Sequence, residues 1–268
     1  MQTEVRPSTV SLIKTVVFEM KNIEVKIDSS KFKPSTEYVC WLDIMGTRST
    51  MSESFEKSAN FILRFHSCVV TAVDNEKKVK VYPVMDGVYI SSPQKENMTR
   101  VLKAIMDKLS DLFISETKLN HRFVVRGAIA KGEIAHGCNI TDSICGIISN
   151  KEKYKDTLMT GLPMIQVYSS EHLAPPFGIY IHESARMPNS LQGRFFAWCK
   201  DDKKKTLKEA VDDYFDWCMT YHNYLEMDKT KIEHYKQMNK EHLTRMQCTI
   251  SELYNQNVDE RIMKTTAV

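Results

Sequence analysis

The sequence lacks the features that mark several large classes of protein. Its formal net charge is only +3, which provides no bulk electrostatic attraction for a nucleic acid or a membrane surface. No apolar run approaches the length of a membrane span, and the first residues lack the basic and apolar segments of a secretion signal. The seven cysteines are odd in number and include no CxxC pair, which is typical of reduced cytosolic thiols. We therefore expect a soluble cytoplasmic protein that binds neither nucleic acid nor membrane.

The sequence does contain enough apolar residues for a substantial folded core. Apolar residues occupy 42% of the 268 positions, which argues against disorder. Neither an internal repeat nor a low-complexity tract is present. Changes in sequence character predict three parts: an N-terminal extension (1–36), a main domain (37–185) and a helical C-terminal extension (186–268).

A strand that ends on a carboxylate is the central feature of the main domain. The residues before Asp43 are aromatic, β-branched or large and apolar, as in a strand buried on both faces. A charge at the end of such a strand needs a cationic partner, and Gly46 permits a left-handed turn or a close approach to a ligand. The polar run 47–50 and a helical pattern from about Ser54 follow. This arrangement indicates a site for a metal ion and phosphates, although a surface turn with a capping residue would give the same pattern.

A second carboxylate lies in a predicted β-hairpin. Two short β-rich runs flank Met85-Asp86-Gly87, and Asp-Gly between such runs is a strong hairpin signal. If the hairpin lies beside the first strand, Asp86 comes next to Asp43. The two aspartates would then supply the hard oxygen ligands that Mg²⁺ and Mn²⁺ prefer. The alternative is that Asp86 serves only the turn.

The order of the predicted elements defines the fold class. Apolar residues recur at helical spacing after the first strand (55–73) and after the hairpin (98–112), and a third β-rich run spans 123–134. Strand, helix, hairpin, helix and strand in this order predict an α/β (α+β) sandwich with a mixed sheet, not a doubly wound parallel one.

The remaining segments have a weaker pattern. Residues 137–160 have the composition of a flexible loop with solvated charges, a helix is predicted over 162–173, and a short strand over 178–182. A linker at Pro188–Ser190 precedes two predicted helices that either pack on the domain or form a dimer. Their apolar stripes comprise Leu207, Ala210, Val211, Tyr214, Cys218 and Tyr221 in the first helix, and Ile232, Tyr235, Leu243, Met246, Ile250 and Leu253 in the second.

Three segments, in this order, resemble the core motifs of class III nucleotidyl cyclases. They are Leu42–Gly46, Val84–Gly87 and Arg126–Ile134, and the resemblance covers roughly residues 37–183. It implies a mixed, mainly antiparallel sheet flanked by helices, with the C-terminal helices as an extension.

Further residues are most similar to one branch, the pyrimidine (uridylate or cytidylate) cyclases of bacterial Pycsar anti-phage systems. They are the Arg-Gly-Ala-Ile form of the third motif, the turn Gly161-Leu162-Pro163 before a helix that carries Tyr168 and Glu171, and the tryptophan-bearing helical tail.

The resemblance implies cyclisation of a nucleoside triphosphate to its 3′,5′-cyclic monophosphate, with release of pyrophosphate. Two divalent ions, Mn²⁺ or Mg²⁺, would be held by the carboxylates of Asp43 and Asp86 and by the carbonyl of Ile44. Backbone amides of the turn Met45-Gly46-Thr47-Arg48 would bind the terminal phosphates. Arg48 would add a guanidinium contact, or is alternatively a solvated surface arginine.

Departures from the family pattern predict the base. Tyr82 stands where purine cyclases have a base-reading lysine, and the matching acidic position falls near Leu158. An aromatic ring that narrows the pocket suits a pyrimidine, with UTP slightly preferred to CTP, although Tyr82 is alternatively a core residue.

The asparagine and arginine that stabilise the family's transition state would align near Ile165 and Ser169, and neither residue type is present. Arg126 and Lys131 are weak candidates for the missing cation, although Arg126 is equally well explained as a structural ion-pair partner. The resemblance also implies a homodimer with two equivalent sites at its interface.

Two rival hypotheses remain open from the sequence. A non-enzymatic nucleotide sensor on a degenerate cyclase fold would explain the missing asparagine and arginine. A palm-fold polymerase or dinucleotide cyclase also uses paired strand-end acids, but the Gly-Gly-Asp/Glu-Glu-Phe hairpin is missing.

Overall fold

The computed structural model describes residues 28–47, 51, 53–185, 195–199 and 201–242, with residues 201 and 202 described by their backbone alone. The described residues form two compact units. The smaller unit comprises 28–34 and 135–160, and the larger one comprises the described residues of 35–134 and 161–242.

A mixed, mainly antiparallel sheet forms the centre of the larger unit. Its strands are β1 (Ser35–Ile44), β2 (Lys80–Val84), β3 (Gly87–Ser92), β4 (Val125–His136) and β6 (Ile179–Ile181). The order is β2-β3-β1-β4-β6, and every pair is antiparallel except β4 with β6. The fold class predicted from the sequence is confirmed, because the sheet is mixed and because two helices and a hairpin lie in sequence between β1 and its neighbour β4.

Helices accompany the sheet in the predicted order. They are α1 (Phe55–Val73), α2 (Lys95–Ser115), α5 (Leu162–Ser170), α6 (Asp201–Thr220) and α7, which is helical from 229 to the last described residue, 242. Ser54 caps α1 by accepting a hydrogen bond from the Lys57 amide at 3.2 Å. A search of the described helices finds none with both the length and the apolarity to cross a membrane.

Along β1, alternate side chains face the hydrophobic core and the candidate site. Cys40, Leu42 and Ile44 are fully buried in the main hydrophobic cluster, together with residues of α1 and α2. Because successive side chains of a strand point to opposite faces, Trp41 and Asp43 lie on the other face. The strand thus anchors one face in the core and presents its carboxylate on the other.

The described part of the C-terminal helices belongs to the same core. The larger unit's hydrophobic cluster contains, from α6 and α7, Leu207, Ala210, Val211, Phe215, Cys218, Ile232 and Tyr235. The stripes were predicted either to pack on the domain or to form a dimer, and in the structure these residues pack on the domain. Four predicted stripe residues (Leu243, Met246, Ile250 and Leu253) and the predicted linker Pro188–Ser190 lie outside the described residues.

The smaller unit differs from the flexible loop that was predicted for 137–160. It contains two short helices, α3 (Asp142–Ser149) and α4 (Glu152–Lys155), and β5 (Met159–Thr160), which pairs with the last two residues of β4. The physical reason is a small apolar cluster that orders the segment and consists of Ile140, Ile144 and Cys145, with Phe32, Ile148 and Leu158 packed against it. Cluster members on different short elements give no helical period, so the sequence pattern missed them.

Candidate functional site

The sheet register brings Asp43 and Asp86 together. Asp43, next to the last residue of β1, pairs with Gly87, the first residue of β3. Asp86 immediately precedes Gly87 in the turn from β2, where Met85 adopts a left-handed conformation with φ of 54°. The hairpin therefore places the Asp86 carboxylate beside Asp43, in the arrangement predicted from the sequence.

Burial and neighbouring charge change the acidity of Asp43. Burial, together with the negative charges of Asp86 and Glu171, raises the pKa of Asp43 from its ordinary value to about 7. The guanidinium of Arg126 and a hydrogen bond from the Ile44 amide act in the opposite direction. Burial and repulsion together outweigh these two effects, and a bound cation would offset both of them.

The Thr47 hydroxyl contacts both Asp86 and Ile44, which with Asp43 are the candidate metal ligands. It donates to the Asp86 carboxylate, and it lies 3.3 Å from the carbonyl oxygen of Ile44. The Asp86 carboxylate and the Ile44 carbonyl oxygen therefore both face the Thr47 hydroxyl. Together with Asp43, they form a set of hard oxygen donors that fits Mg²⁺ or Mn²⁺ better than a softer metal.

Two glycines make this geometry possible. Gly46 has φ of +80°, a left-handed conformation that side chains rarely adopt, and it turns the chain from Ile44 back to Thr47. At Gly87, an added Cβ would lie 2.3 Å from the Trp41 ring and 2.9 Å from the carbonyl oxygen of Leu42. Only glycine at position 87 allows the hairpin to pair with β1 this closely.

The predicted phosphate-binding turn is partly described. The amide of Met45 donates to the carbonyl of Val124 at 2.8 Å, so it is not available to a phosphate in this conformation. Gly46 and Thr47 lie beside the carboxylates, and Thr47 is buried. Arg48 lies outside the described residues.

Arg126 lies directly beside Asp43. The two residues are paired across β1 and β4. The Nε of Arg126 forms an ion pair with Glu171, its Nη1 donates to the Tyr235 hydroxyl at 3.3 Å, and its guanidinium lies 5.6 Å from the centre of the Tyr235 ring. Arg126 therefore forms the structural ion pair that was one of its two interpretations from the sequence. Its contact with Tyr235 of α7 was not predicted.

A cavity of about 290 Å³ opens at Asp43. Its wall includes the turn Ile44–Thr47, parts of α1 and the segment before β4. It also includes residues of α6, of α7 and of the segment between these two helices, which are Tyr214, Phe215, Trp217, Leu225, Met227, Lys231 and Tyr235. Sequence reasoning missed all of them as site residues. Tyr214 and Tyr235 fall on predicted apolar stripes, and a stripe that lines a cavity has the same period as one that only packs.

Comparison with known proteins finds likeness in solved structures alone. No protein-family model matches the chain, and no curated protein matches it either. The monomeric guanylyl cyclase domain of the RhoGC fusion protein from the aquatic fungus Blastocladiella emersonii has 12% identity and a TM-score of 0.42, covering 57% of this chain and 85% of that chain. The guanylyl cyclase Cya2 has 14% identity and a TM-score of 0.45, covering 59% of this chain and 81% of that one. The adenylyl cyclase CyaB from P. aeruginosa has 14% identity and a TM-score of 0.43, covering 57% and 79%. At such identities a similar fold does not imply a shared substrate, so function has to be argued from the site.

Lys131, a predicted site residue, lies away from the carboxylates within this chain. Lys131 pairs with Tyr38, roughly 17 Å along the strand from Arg126, with its ammonium 4.9 Å from the centre of the Tyr38 ring. On α5, Ile165 is exposed and Ser169 donates to the Ile165 carbonyl at 2.8 Å.

Neither of the two predicted base-pocket residues is among those that line the cavity. Tyr82 is buried on β2, where it pairs with Tyr89. Leu158 belongs to the smaller unit and packs against its apolar cluster. Their role in base binding stays a prediction.

Proposed function

We propose that the protein is a pyrimidine nucleotidyl cyclase of the bacterial cytoplasm. It converts UTP, or alternatively CTP, to the 3′,5′-cyclic monophosphate and pyrophosphate, and the cyclic product acts as a second messenger in anti-phage defence. In this reaction the ribose 3′-oxygen forms a bond to the α-phosphorus, the bond from the α-phosphorus to the pyrophosphate oxygen breaks, and the proton of the 3′-hydroxyl is released to solvent water.

The juxtaposition of Asp43 and Asp86 carries the proposal. With the Ile44 carbonyl, these two carboxylates would hold the divalent ions, and Thr47 fixes the orientation of the Asp86 carboxylate. Bound Mg²⁺ or Mn²⁺ would lower the pKa of the attacking hydroxyl and offset the charge of the triphosphate. The raised pKa of Asp43 supports a cation site, because a buried and repelled carboxylate is stabilised when a cation binds.

The chain's own cations have defined tasks in this proposal. Arg126 offsets the charge of Asp43 and is held in place by Glu171 and Tyr235. The cavity, which is lined by both Asp43 and cationic side chains, offers room for the triphosphate next to the metal ligands.

The finer features of the proposal rest on the sequence resemblance and on one exposed surface. Tyr82 in place of a purine-reading lysine supports a pyrimidine, and the preference for UTP is slight. A homodimer is supported by exposed apolar side chains on α5, where Leu162, Ile165 and Tyr168 have 63%, 67% and 64% of their surface accessible.

The deciding experiment incubates the purified protein with Mn²⁺ and each of the four nucleoside triphosphates, and identifies the products by chromatography and mass spectrometry. We expect cyclic UMP or cyclic CMP and pyrophosphate from the wild type, and loss of product from Asp43→Asn and Asp86→Asn. The exposed Asp213→Asn serves as a matched control that keeps activity. A linked dinucleotide, a cyclic purine nucleotide, or no turnover by a folded protein would contradict the proposal.

One observation favours a second candidate, a nucleotide sensor without catalysis. Arg126 is already neutralised by Glu171, and the positions expected to stabilise the transition state, Ile165 and Ser169, offer no cation. Binding of a triphosphate without release of pyrophosphate would identify this function.

A further inference from the structure

The cavity at Asp43 has a strongly cationic wall. Among the described residues that line it, four side chains are positively charged (Lys57, Arg122, Arg126 and Lys231), while Asp43 is the one carboxylate. A cavity with this balance favours an anion with several negative charges. The unusual feature is that one of these cations comes from the C-terminal extension.

The four cations differ in what else they contact. Lys57 forms an ion pair with Glu53 at 3.0 Å, and Arg126 one with Glu171. Arg122 has no such carboxylate among the residues described here, but its guanidinium donates to the carbonyls of Glu116 and Ala210 at 2.9 and 3.1 Å. These three side chains therefore have structural partners that fix or neutralise them.

Lys231 is the exception. Within the described ranges, no carboxylate lies within ion-pair distance of its ammonium, which instead lies 5.8 Å from the centre of the Tyr235 ring. The backbone amide of Lys231 donates a hydrogen bond to the Asp228 carboxylate at 3.3 Å. At this position a ligand can therefore be bound by the Lys231 side chain but not by its backbone amide. An exposed lysine without an acidic partner, on the wall of an anion-selective cavity, is available to a ligand.

We propose that Lys231 binds the terminal phosphates of the nucleoside triphosphate, so that the C-terminal extension completes the triphosphate subsite within a single chain. This inference rests on the proposed function for the identity of the ligand. A lysine suits the task because its ammonium is a compact charge on a flexible stem, which can follow a phosphate as the ligand enters and leaves. Lys57, on α1, would be a secondary contact if its ammonium left the ion pair with Glu53 and bound the phosphate instead.

The test measures binding of inorganic tripolyphosphate in the presence of Mn²⁺ by calorimetry, with the full chain. We expect Lys231→Gln to weaken this binding by about tenfold, and Lys231→Arg to restore most of it, since a charge-assisted contact is lost and regained. Lys229→Gln is the matched control, because Lys229 is exposed on the same helix, two residues away, and does not line the cavity. It should bind tripolyphosphate like the wild type.

The outcomes separate this inference from the proposed cyclase activity. Unchanged binding in Lys231→Gln, tighter binding, or an equal loss in Lys229→Gln would overturn the role of Lys231 whatever the protein's activity. Conversely, Lys231-dependent binding of tripolyphosphate by a protein that makes no cyclic nucleotide would support the subsite and refute the cyclase. Where cyclisation is seen, Lys231→Gln should raise KM more than it lowers kcat, because the contact exists before the reaction.

Discussion

The hydroxyl of Thr47 donates a hydrogen bond to the carboxylate of Asp86, and so joins the turn after β1 to the hairpin of β2 and β3. The same hydroxyl lies 3.3 Å from the Ile44 carbonyl oxygen. Thr47 is buried, and its position between two candidate ligands makes it a positioning residue for the proposed metal site.

Replacing Thr47 by valine tests that role with little change in shape. Loss of the hydroxyl leaves the Asp86 carboxylate without its donor, and we expect the affinity for Mn²⁺ to fall by about tenfold or more. Thr47→Ser keeps the hydroxyl and should retain most of the affinity. Calorimetric titration with Mn²⁺ measures both, and equal affinities for the valine and serine variants would show that the hydrogen bond does not orient the ligand.

Gly87→Ala tests whether the close pairing of the hairpin with β1 is required. The added Cβ would lie 2.3 Å from the Trp41 ring, so the hairpin or the ring must shift, at a cost of about 1–3 kcal/mol in the free energy of unfolding. At Gly146, a Cβ would meet nothing within 4 Å. Chemical denaturation should therefore show a clear loss for Gly87→Ala and little loss for Gly146→Ala. An unperturbed Gly87→Ala protein would mean that this contact is readily relieved.

The sequence was sufficient to predict the sheet and the pairing of its two acids. A buried strand ending at Asp43 and an Asp-Gly turn at Asp86 are local patterns, and the antiparallel pairing of β1 with β3 brings the two acids together. The partners of Arg126 were not predictable in the same way. Glu171 and Tyr235 are separated from it by 45 and 109 residues, and the sequence offers no spacing rule for such contacts.

The cavity wall and the smaller unit show a second limit of sequence reasoning. Tyr214 and Tyr235 fall on stripes that indicate packing, and packing is indeed part of their role, but periodicity carries no information on where a gap remains beside them. The helices α3 and α4 have eight and four residues, too short for an apolar period to emerge from the charged residues around them.

The acidity of Asp43 predicts how Mn²⁺ binding depends on pH. Its pKa of about 7 in the folded protein means that a proton competes with the metal below that pH, so affinity should decrease by about tenfold for each pH unit below 7. Removing the charge of Glu171 lowers the pKa of Asp43, because that charge raises it. Glu171→Gln should therefore shift the loss of Mn²⁺ binding to lower pH.

Titrations with Mn²⁺ between pH 5.5 and 8.5 measure this shift in the wild type and the variant. Glu183→Gln, which removes an exposed carboxylate elsewhere in the larger unit, is the control and should leave the profile unchanged. A profile that is flat across pH 7 in the wild type would contradict the assignment of the raised pKa to a metal ligand.

His242 predicts a separate dependence of stability on pH. Its ring is buried beside Phe195, neither ring nitrogen has a hydrogen-bond partner in the described structure, and burial lowers its pKa from 6.5 to about 4. The unfolded chain therefore binds a proton that the folded chain excludes between these two pH values. The stabilising contribution is complete above about pH 6.5 and is lost as the pH falls towards 4, which amounts to about 2 kcal/mol at pH 5.

Urea unfolding at pH 7.5 and pH 5.0 measures this loss. His242→Leu removes the ionisable ring and should lose about 2 kcal/mol less than the wild type on acidification, since its buried side chain has no proton to exclude. His234→Gln, at an exposed position on the same helix, leaves the buried ring of His242 in place and should lose as much stability as the wild type. If His242→Leu and the wild type lost the same free energy, the ring at position 242 would have to accept a proton without unfolding, which its burial among apolar neighbours argues against.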